Sequence, residues 1–259
     1  MSAELHGEHA RRLVLSVVVP SRDDARMLET CLRLLAEQTR AADEVIVVDN
    51  DSTDDTAAVA SAAGAVVVSE PRHGVWPASA AGFDRARGDV IARLDADSRP
   101  PADWLERVER CFAADEALDA VTGPGTFYDS SRLVSALGRR FYIGGYFWAI
   151  GVWLGHPPLF GSNFAMRRRV WEAVRGQVHR ELGDVHDDLD LSMHLPPTAR
   201  VSYERSLLVG ISGRPFASRR ALGRRLRWAY RTLRLHWPDE APWRRRARAA
   251  LSGRSRRRR

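Results

Sequence analysis

The stretch LVLSVVVPSRDDARMLETCLRLLAEQTRAADEVIVVDNDSTDDT, residues 13–56, reads as one strand–helix–strand unit and the turn that follows it. LVLSVVV (13–19) and EVIVVD (44–49) are short, β-branched and almost continuously apolar, as strands buried on both faces are. Between them, residues 24–38 carry Leu, Arg, Glu and Ala at helical spacing. The pattern then repeats. AVVV (65–68) and VIARLD (90–95) read as further strands, and the stretches near 54–63, 77–87 and 101–113 as helices. Such alternation predicts an α/β fold, with a mostly parallel sheet flanked by helices on both faces. Sheets of this kind bind ligands at the carboxyl ends of their strands, so the polar residues placed just after strands become the candidates for function.

Those places are rich in aspartate. Asp49-Asn50-Asp51-Ser52-Thr53-Asp54-Asp55 follows the second strand. An Asp at a strand end can accept hydrogen bonds from a nucleobase or a ribose. Ser52 or Thr53 is expected to cap the next helix, with Asp54 and Asp55 favoured by its dipole. Asp95-Ala96-Asp97 follows the fourth strand, and carboxylates one residue apart in extended chain point to opposite faces. One can hold a ribose or a loop while the other reaches a divalent cation; hard carboxylate oxygens suit Mg²⁺ or Mn²⁺. His186-Asp187-Asp188-Leu189-Asp190 lies about 90 residues further on and reads as acids at one end of a helix, aimed into a cleft. One of them could act as a general base on an acceptor hydroxyl. His186 reads as a structural histidine more readily than as a metal ligand.

The order of motifs is recognisable. VVVPSRDDA (17–25), VIVVDNDSTDDT (45–56), GDVIARLDADSRPPADWLE (88–106), FGSNFAMRRRVWEAV (160–174) and HDDLDLSMHL (186–195) resemble the family 2 glycosyltransferases over about residues 13–200. The resemblance implies a GT-A fold, with a Rossmann-like nucleotide-binding half (about 13–122) and an acceptor-binding half (about 123–213). It also implies transfer of one sugar, with inversion, from a nucleotide-diphosphate donor, usually with Mg²⁺ or Mn²⁺. Position by position, Pro20, Ser21 and Asp23 would line the nucleotide mouth and Asp49 would contact base or ribose. Asp95 and Asp97 would form the metal pair, Asp97 the better candidate for the cation. Gly161, Ser162, Asn163 and Phe164 would form the loop beside donor sugar and acceptor, next to Asp187, and Asp188 would be the base. Three positions depart from the family pattern. Asn50 stands where a second acid is usual, and Ser79-Ala80 stands where many relatives carry Arg-Asn. The Gln-X-X-Arg-Trp of processive members is reduced to Arg227-Trp228, which remain candidates for contacts near the cleft.

Composition sets the outer bounds. With 259 residues, 44% apolar and 28% charged, the chain is an ordinary globular protein. All 40 basic residues are arginine, which excludes any mechanism that needs a catalytic or phosphate-gripping lysine. A sugar nucleotidyltransferase, the alternative enzyme, would be expected to show such a lysine and a Gly-rich loop after the first strand. The net charge of +7 is an average over two unlike parts. Residues 214–259 hold 17 Arg against Asp239 and Glu240, a net of +15, which leaves −8 for residues 1–213. A nucleic-acid-binding tail is therefore set against an acidic body, and an anionic membrane surface is the more fitting partner.

Residues 219–237 interleave Arg with Leu, Trp and Tyr, an amphipathic basic helix that Pro238 stops; the rest of the tail is expected to be disordered. FYIGGYFWAIGVWL (141–154) is too short to span a bilayer, which takes about 20 apolar residues, and reads as a buried helix, or as a surface helix dipping into a bilayer or lining a groove for a lipid-like acceptor. Cys31 and Cys111 read as core residues, not as a disulfide framework. The N-terminus shows no signal-peptide layout. These features lead to the expectation of a cytoplasmic enzyme, peripheral on the inner face of the cell membrane. The family resemblance and the apolar segment point to a cell-envelope glycan or a polyprenyl-linked acceptor.

Overall fold

A computed structural model describes residues 12–129, 144–214 and 219–256. The sheet has seven strands in the order β3-β2-β1-β4-β7-β5-β8. These are β1 (Leu15–Ser21), β2 (Glu44–Asp49), β3 (Val66–Ser69), β4 (Val90–Arg93), β5 (Ala120–Thr122), β7 (Phe164–Arg167) and β8 (Val201–Tyr203). β3, β2, β1 and β4 run parallel, as the βαβ reading requires, whereas β7 is antiparallel to both β4 and β5. A two-stranded ribbon, β6 (Gly125–Phe127) with β9 (Val209–Ile211), lies beside it.

Burial explains why the strands read as apolar runs. Within β1, Leu15, Val17 and Val19 pack on one face against Leu28, Cys31, Leu32 and Leu35 of α1 (Ala25–Ala36) and against Trp104, Leu105, Val108 and Phe112 of α4 (Trp104–Ala114). Val18 points the other way, into a second core with Trp76 and Phe83 of α3 (Val75–Arg85) and Trp171 of α6 (Arg168–Val174). Period-two alternation is preserved and both faces are covered; Ser16, the polar residue inside the run, is buried and donates to Glu44 Oε2 at 2.7 Å. Cys31 lies in the first core and forms no disulfide. The expected cap of α2 (Thr56–Ala62) differs in detail. Asp54, rather than Ser52 or Thr53, accepts the Thr56 amide at 3.0 Å, because the helix starts three residues beyond Thr53.

The apolar segment forms α5 (Gly144–Leu154); residues 141–143 fall outside the described residues. Leu154 is buried and Phe147 packs on Tyr203 with ring centroids 4.6 Å apart, while Trp148 is 74% exposed, so the helix is embedded along one side. α7 (Asp187–His194) packs beside α8 (Arg219–His236), and Leu154, Leu189 and Met193 join Leu233 in a third, small core. The final segment departs from expectation. Instead of a disordered tail, Pro242–Arg256 forms a helix, α9. Its anchor is Arg245, 1% exposed, which donates to the carbonyls of Leu154 at 3.0 Å, Met193 at 2.8 Å and Leu195 at 2.9 Å. It also donates to Glu240 Oε2 at 2.6 Å and to His156 Nε2 at 3.3 Å. One guanidinium thus satisfies the open carbonyl ends of α5 and α7 and uses all five of its N–H donors.

Candidate active site

The site forms where β1 and β4 end. Ser21, the last residue of β1, stands in register with Asp49, the last of β2, so the turns after both strands open on the same edge of the sheet. β7 enters antiparallel beside β4 with Phe164 opposite Arg93. The loop that precedes β7 is thereby held against the Asp95–Asp97 turn. Opposite, α7 presents its first turn. These elements enclose a cleft of about 300 Å³ lined by Pro20, Ser21, Asp24, Asp95, Asp97, Gly161, Ser162, Asp187, Asp188, Arg225 and Trp228, among others.

Each acid is held by a particular partner. Arg93, 1% exposed, sits between two of them: its guanidinium lies 2.8 Å from Asp95 Oδ1 and 3.0 Å from Asp187 Oδ2. Ser162 Oγ donates to the other oxygen of Asp95, and Ser79 Oγ donates to Asp187 at 2.8 Å. Asp188 accepts the Gly161 amide at 2.8 Å through Oδ2 and the Leu189 amide at 2.7 Å through Oδ1. Any other residue at Gly161 must displace a site group, since a Cβ would stand 2.5 Å from Arg93 Nη1 and 3.1 Å from Asp188 Oδ2. Burial, and next the charge of Asp187, raise the Asp188 pKa above the ordinary carboxylate value. Burial, and next the charge of Asp95, do the same for Asp97. Asp97 Oδ2 is met by Arg214 at 2.8 Å, and Arg214 also grips both oxygens of Asp24, at 3.0 and 2.6 Å.

The candidates are not all brought into the cleft. Pro20, Ser21, Asp95, Asp97, Gly161, Ser162, Asp187, Asp188 and Trp228 line it. Asp23 lies outside, where its carboxylate accepts the Thr53 amide at 2.7 Å and ties the β1 turn to the β2 turn; Asp24 takes the place beside the cleft. Asp49 Oδ1 accepts the Ser52 amide at 3.2 Å, and its side chain remains half-buried at the rim. Asn163 is fully buried and engaged with Trp104 Nε1 at 2.9 Å and the Pro124 carbonyl at 3.0 Å, which makes it a brace beneath the loop. Arg227 is exposed, and Arg225 instead shares the cleft-facing side of α8 with Trp228, as residues three apart on a helix do. His186 lines the cleft and contacts the Arg225 carbonyl at 3.1 Å through Nε2.

Arg93, Asp24, Arg214 and Arg225 were not singled out by the sequence, and Ser79 was noted only as a departure from the family pattern. For Arg93 a signal exists: an arginine inside the buried strand VIARLD must find carboxylates, and Asp95 stands two residues beyond it.

Residues 16–174 match the family model described as Glycosyl transferase family 2. The chain belongs to this family. Over 101 residues, 36% of its length, this glycosyltransferase is 31% identical to the glycosyltransferase AglE of Haloferax volcanii, and the match spans about a third (33%) of that protein. Among solved structures, the mannosyltransferase PcManGT from Pyrobaculum calidifontis, in complex with GDP-Man and Mn²⁺, aligns at a TM-score of 0.60 with 23% identity. That alignment covers 78% of this chain and 57% of that one. Glucosyl-3-phosphoglycerate synthase from Mycobacterium tuberculosis, in complex with Mn²⁺, UDP and phosphoglyceric acid, aligns at 0.60 with 21% identity over 85% of this chain and 77% of that one. These likenesses show the fold: a GT-A glycosyltransferase with a mostly parallel seven-stranded sheet and a C-terminal helical tail. No helix among the described residues is long and apolar enough to cross a membrane.

Proposed function

We propose that this glycosyltransferase moves a single sugar, with inversion, from a nucleotide-diphosphate donor to a hydroxyl or phosphate acceptor. The observation that carries the reading is the convergence of Asp95, Asp97 and Asp188 on one cleft at the strand ends. The donor nucleotide lies along Pro20 and Ser21, toward Asp49 at the rim. Ser21 Oγ, buried and without a partner among the described residues, supports a donor contact there.

The residues fit a divalent cation. Arg93 and Ser162 already engage both oxygens of Asp95, while Arg214 meets Asp97 through Oδ2. Asp97 is accordingly the better ligand, with Asp95 as its neighbour, and a hard cation such as Mg²⁺ or Mn²⁺ suits their oxygens and relieves their mutual repulsion. Bound there, such a cation supplies charge neutralisation to a departing diphosphate. Asp188 takes the proton as the acceptor oxygen bonds to the anomeric carbon. The bond from that carbon to the diphosphate breaks on the opposite face, and the diphosphate leaves with the electron pair. A carboxylate pKa raised by burial brings this base closer to the working pH. Gly161 fixes the base through its amide, and Asp187, anchored by Arg93 and Ser79, fixes the start of α7.

A cell-envelope glycan or polyprenyl-linked acceptor, presented at the cytoplasmic face of an anionic membrane, accords with the outer surface of the helical half. Trp148 (74% exposed), Trp243 (57%) and Trp237 (48%) are offered to solvent among the arginines of α8 and α9. Aromatic rings beside cationic side chains match an anionic interface. Flotation with anionic vesicles tests this: Trp148→Ser combined with Trp243→Ser should leave the protein unbound, and unchanged binding would discard the membrane surface. The reaction itself is tested by assaying sugar transfer and donor hydrolysis in Asp97→Ala and Asp188→Asn; either variant working at the wild-type rate overturns the assignment of that residue.

A further inference from the structure

We infer that His179, Asp190, His194 and His236 form a second metal site, built for Zn²⁺ and separate from the carboxylate pair in the cleft. One ligand atom from each residue lies within 4.8 Å of all the others. None of the four lines the cleft. They come from three segments: His179 from the loop after α6, Asp190 and His194 from α7, and His236 from the last position of α8. Asp190 and His194 are four apart on one helix and so share a face. Asp190 is 0% exposed and His236 5%, a depth at which a carboxylate facing imidazoles needs a compensating charge.

The distances and orientations suit a cation. His236 Nε2 lies 3.4 Å from Asp190 Oδ1 and 3.4 Å from His194 Nδ1. A tetrahedral Zn²⁺ with bonds of about 2.0–2.1 Å holds its ligand atoms roughly 3.4 Å apart. The outer contacts aim the ligands inward. His236 donates through Nδ1 to the Thr232 carbonyl at 2.8 Å, which leaves Nε2 with its lone pair toward the cluster. Asp190 Oδ2 accepts Trp76 Nε1–H at 2.8 Å and the His179 amide at 2.9 Å, and its Oδ1 is turned to His179 and His236. Such partners fix the tautomer and the orientation of metal-bound histidines and carboxylates. Loading asks the ligand atoms, spread over up to 4.8 Å, to close to the tetrahedral edge. His179 Nδ1, 2.7 Å from Asp190 Oδ1, draws back to the tetrahedral edge, and His194 Nδ1 exchanges its 2.8 Å contact with the Asp190 carbonyl for the ion.

Three imidazoles and one carboxylate form a nitrogen-rich set that selects Zn²⁺ over the Mg²⁺ or Mn²⁺ favoured by oxygen ligands. The site joins the end of α8 to the end of α7. α7 carries Asp187 and Asp188 at its other end, and α8 carries Arg225 and Trp228. Zn²⁺ here braces two walls of the cleft from behind, as a structural ion.

The test uses the untagged full-length protein. Elemental analysis should find about one zinc per chain, as a closed four-ligand site holds. Zinc should fall at least tenfold in His179→Ala combined with His236→Ala and stay bound in Asp97→Ala. Stripping with a chelator should lower the Tm by roughly 5–10 °C, reversed by Zn²⁺ and not by Mg²⁺. Co²⁺ added to the stripped wild-type chain should give the visible absorption of a tetrahedral site, a readout that does not depend on the variant folding. Wild-type protein without zinc, without a chelator effect and without the cobalt bands would overturn the site and leave a hydrogen-bonded polar cluster. Zinc retained in the double variant would overturn the ligand assignment.

Discussion

The acidic body and the arginine-rich C-terminal segment use charge in opposite ways. In the body, the aspartates that matter converge on one cleft and each is held by a named partner: Asp95 by Arg93 and Ser162, Asp187 by Arg93 and Ser79, Asp188 by the Gly161 amide. In the C-terminal segment the arginines point outward for the most part, and one of them, Arg245, is buried and clamps three helices. Composition makes all these arginines look alike. Their positions separate a solvated surface from a structural anchor, and the variants below act on that separation.

The largest effect is expected in the body. Asp188→Asn should lower kcat by roughly 10²–10⁴ while the Tm stays within a few degrees, measured by transfer kinetics and thermal melting on the same sample. The acid limb of the wild-type pH–rate profile should lie above the usual carboxylate range, because the base must be deprotonated and its pKa is raised. Gly161→Ala should reduce kcat by about 10²-fold or more, since the new methyl displaces Arg93 or Asp188.

Arg245→Ala should behave in the opposite sense. It leaves helix carbonyls and Glu240 without their donor and should cost about 3 kcal/mol in denaturant unfolding, with the catalytic groups unaltered. Its neighbours Arg244 and Arg246, both exposed, should each change stability by about 0.5 kcal/mol or less when replaced by Gln. Equal costs for Arg244 and Arg245 would erase the distinction between surface and anchor.

His156 sharpens the same contrast through pH. Burial pushes its pKa from 6.5 down to about 4, and Arg245 on its Nε2 opposes a second positive charge. Between those values the unfolded chain binds a proton that the folded chain refuses. Stability contributed by the neutral ring is therefore complete above pH 6.5 and declines as the pH falls toward about 4, by up to about 3 kcal/mol. His156→Gln should make urea stability less steep across that window; an unchanged slope would remove His156 from the clasp.

How much of this was legible in the chain varies with the range of the contacts. The parallel strands and α1 to α4 were readable because buried strands and amphipathic helices declare themselves within about ten residues. The positions of Asp95, Asp97, Asp187 and Asp188 at element ends were readable for the same reason. Which of Asp23 and Asp24 enters the cleft was not, because a left-handed backbone at Asp23, with φ 48°, turns the chain there. Arg245 looked like one member of a solvated run, since its partners Leu154, Met193 and Leu195 are 50 or more residues away. The cluster of His179, Asp190, His194 and His236 was only half visible: Asp190 and His194 stand four apart on one helix, but His236 lies 42 residues beyond His194 and no local spacing brings it in.

The central claim, that the acids of the body bind a nucleotide-sugar diphosphate together with a divalent cation, is tested most directly by titration calorimetry. GDP and UDP, each with Mn²⁺ or with chelator, would be titrated into the wild-type enzyme and into Asp97→Ala. The account predicts saturable binding of at least one nucleotide that requires Mn²⁺ and weakens at least tenfold in the variant. Binding that is as tight with chelator, or as tight in Asp97→Ala, would contradict it.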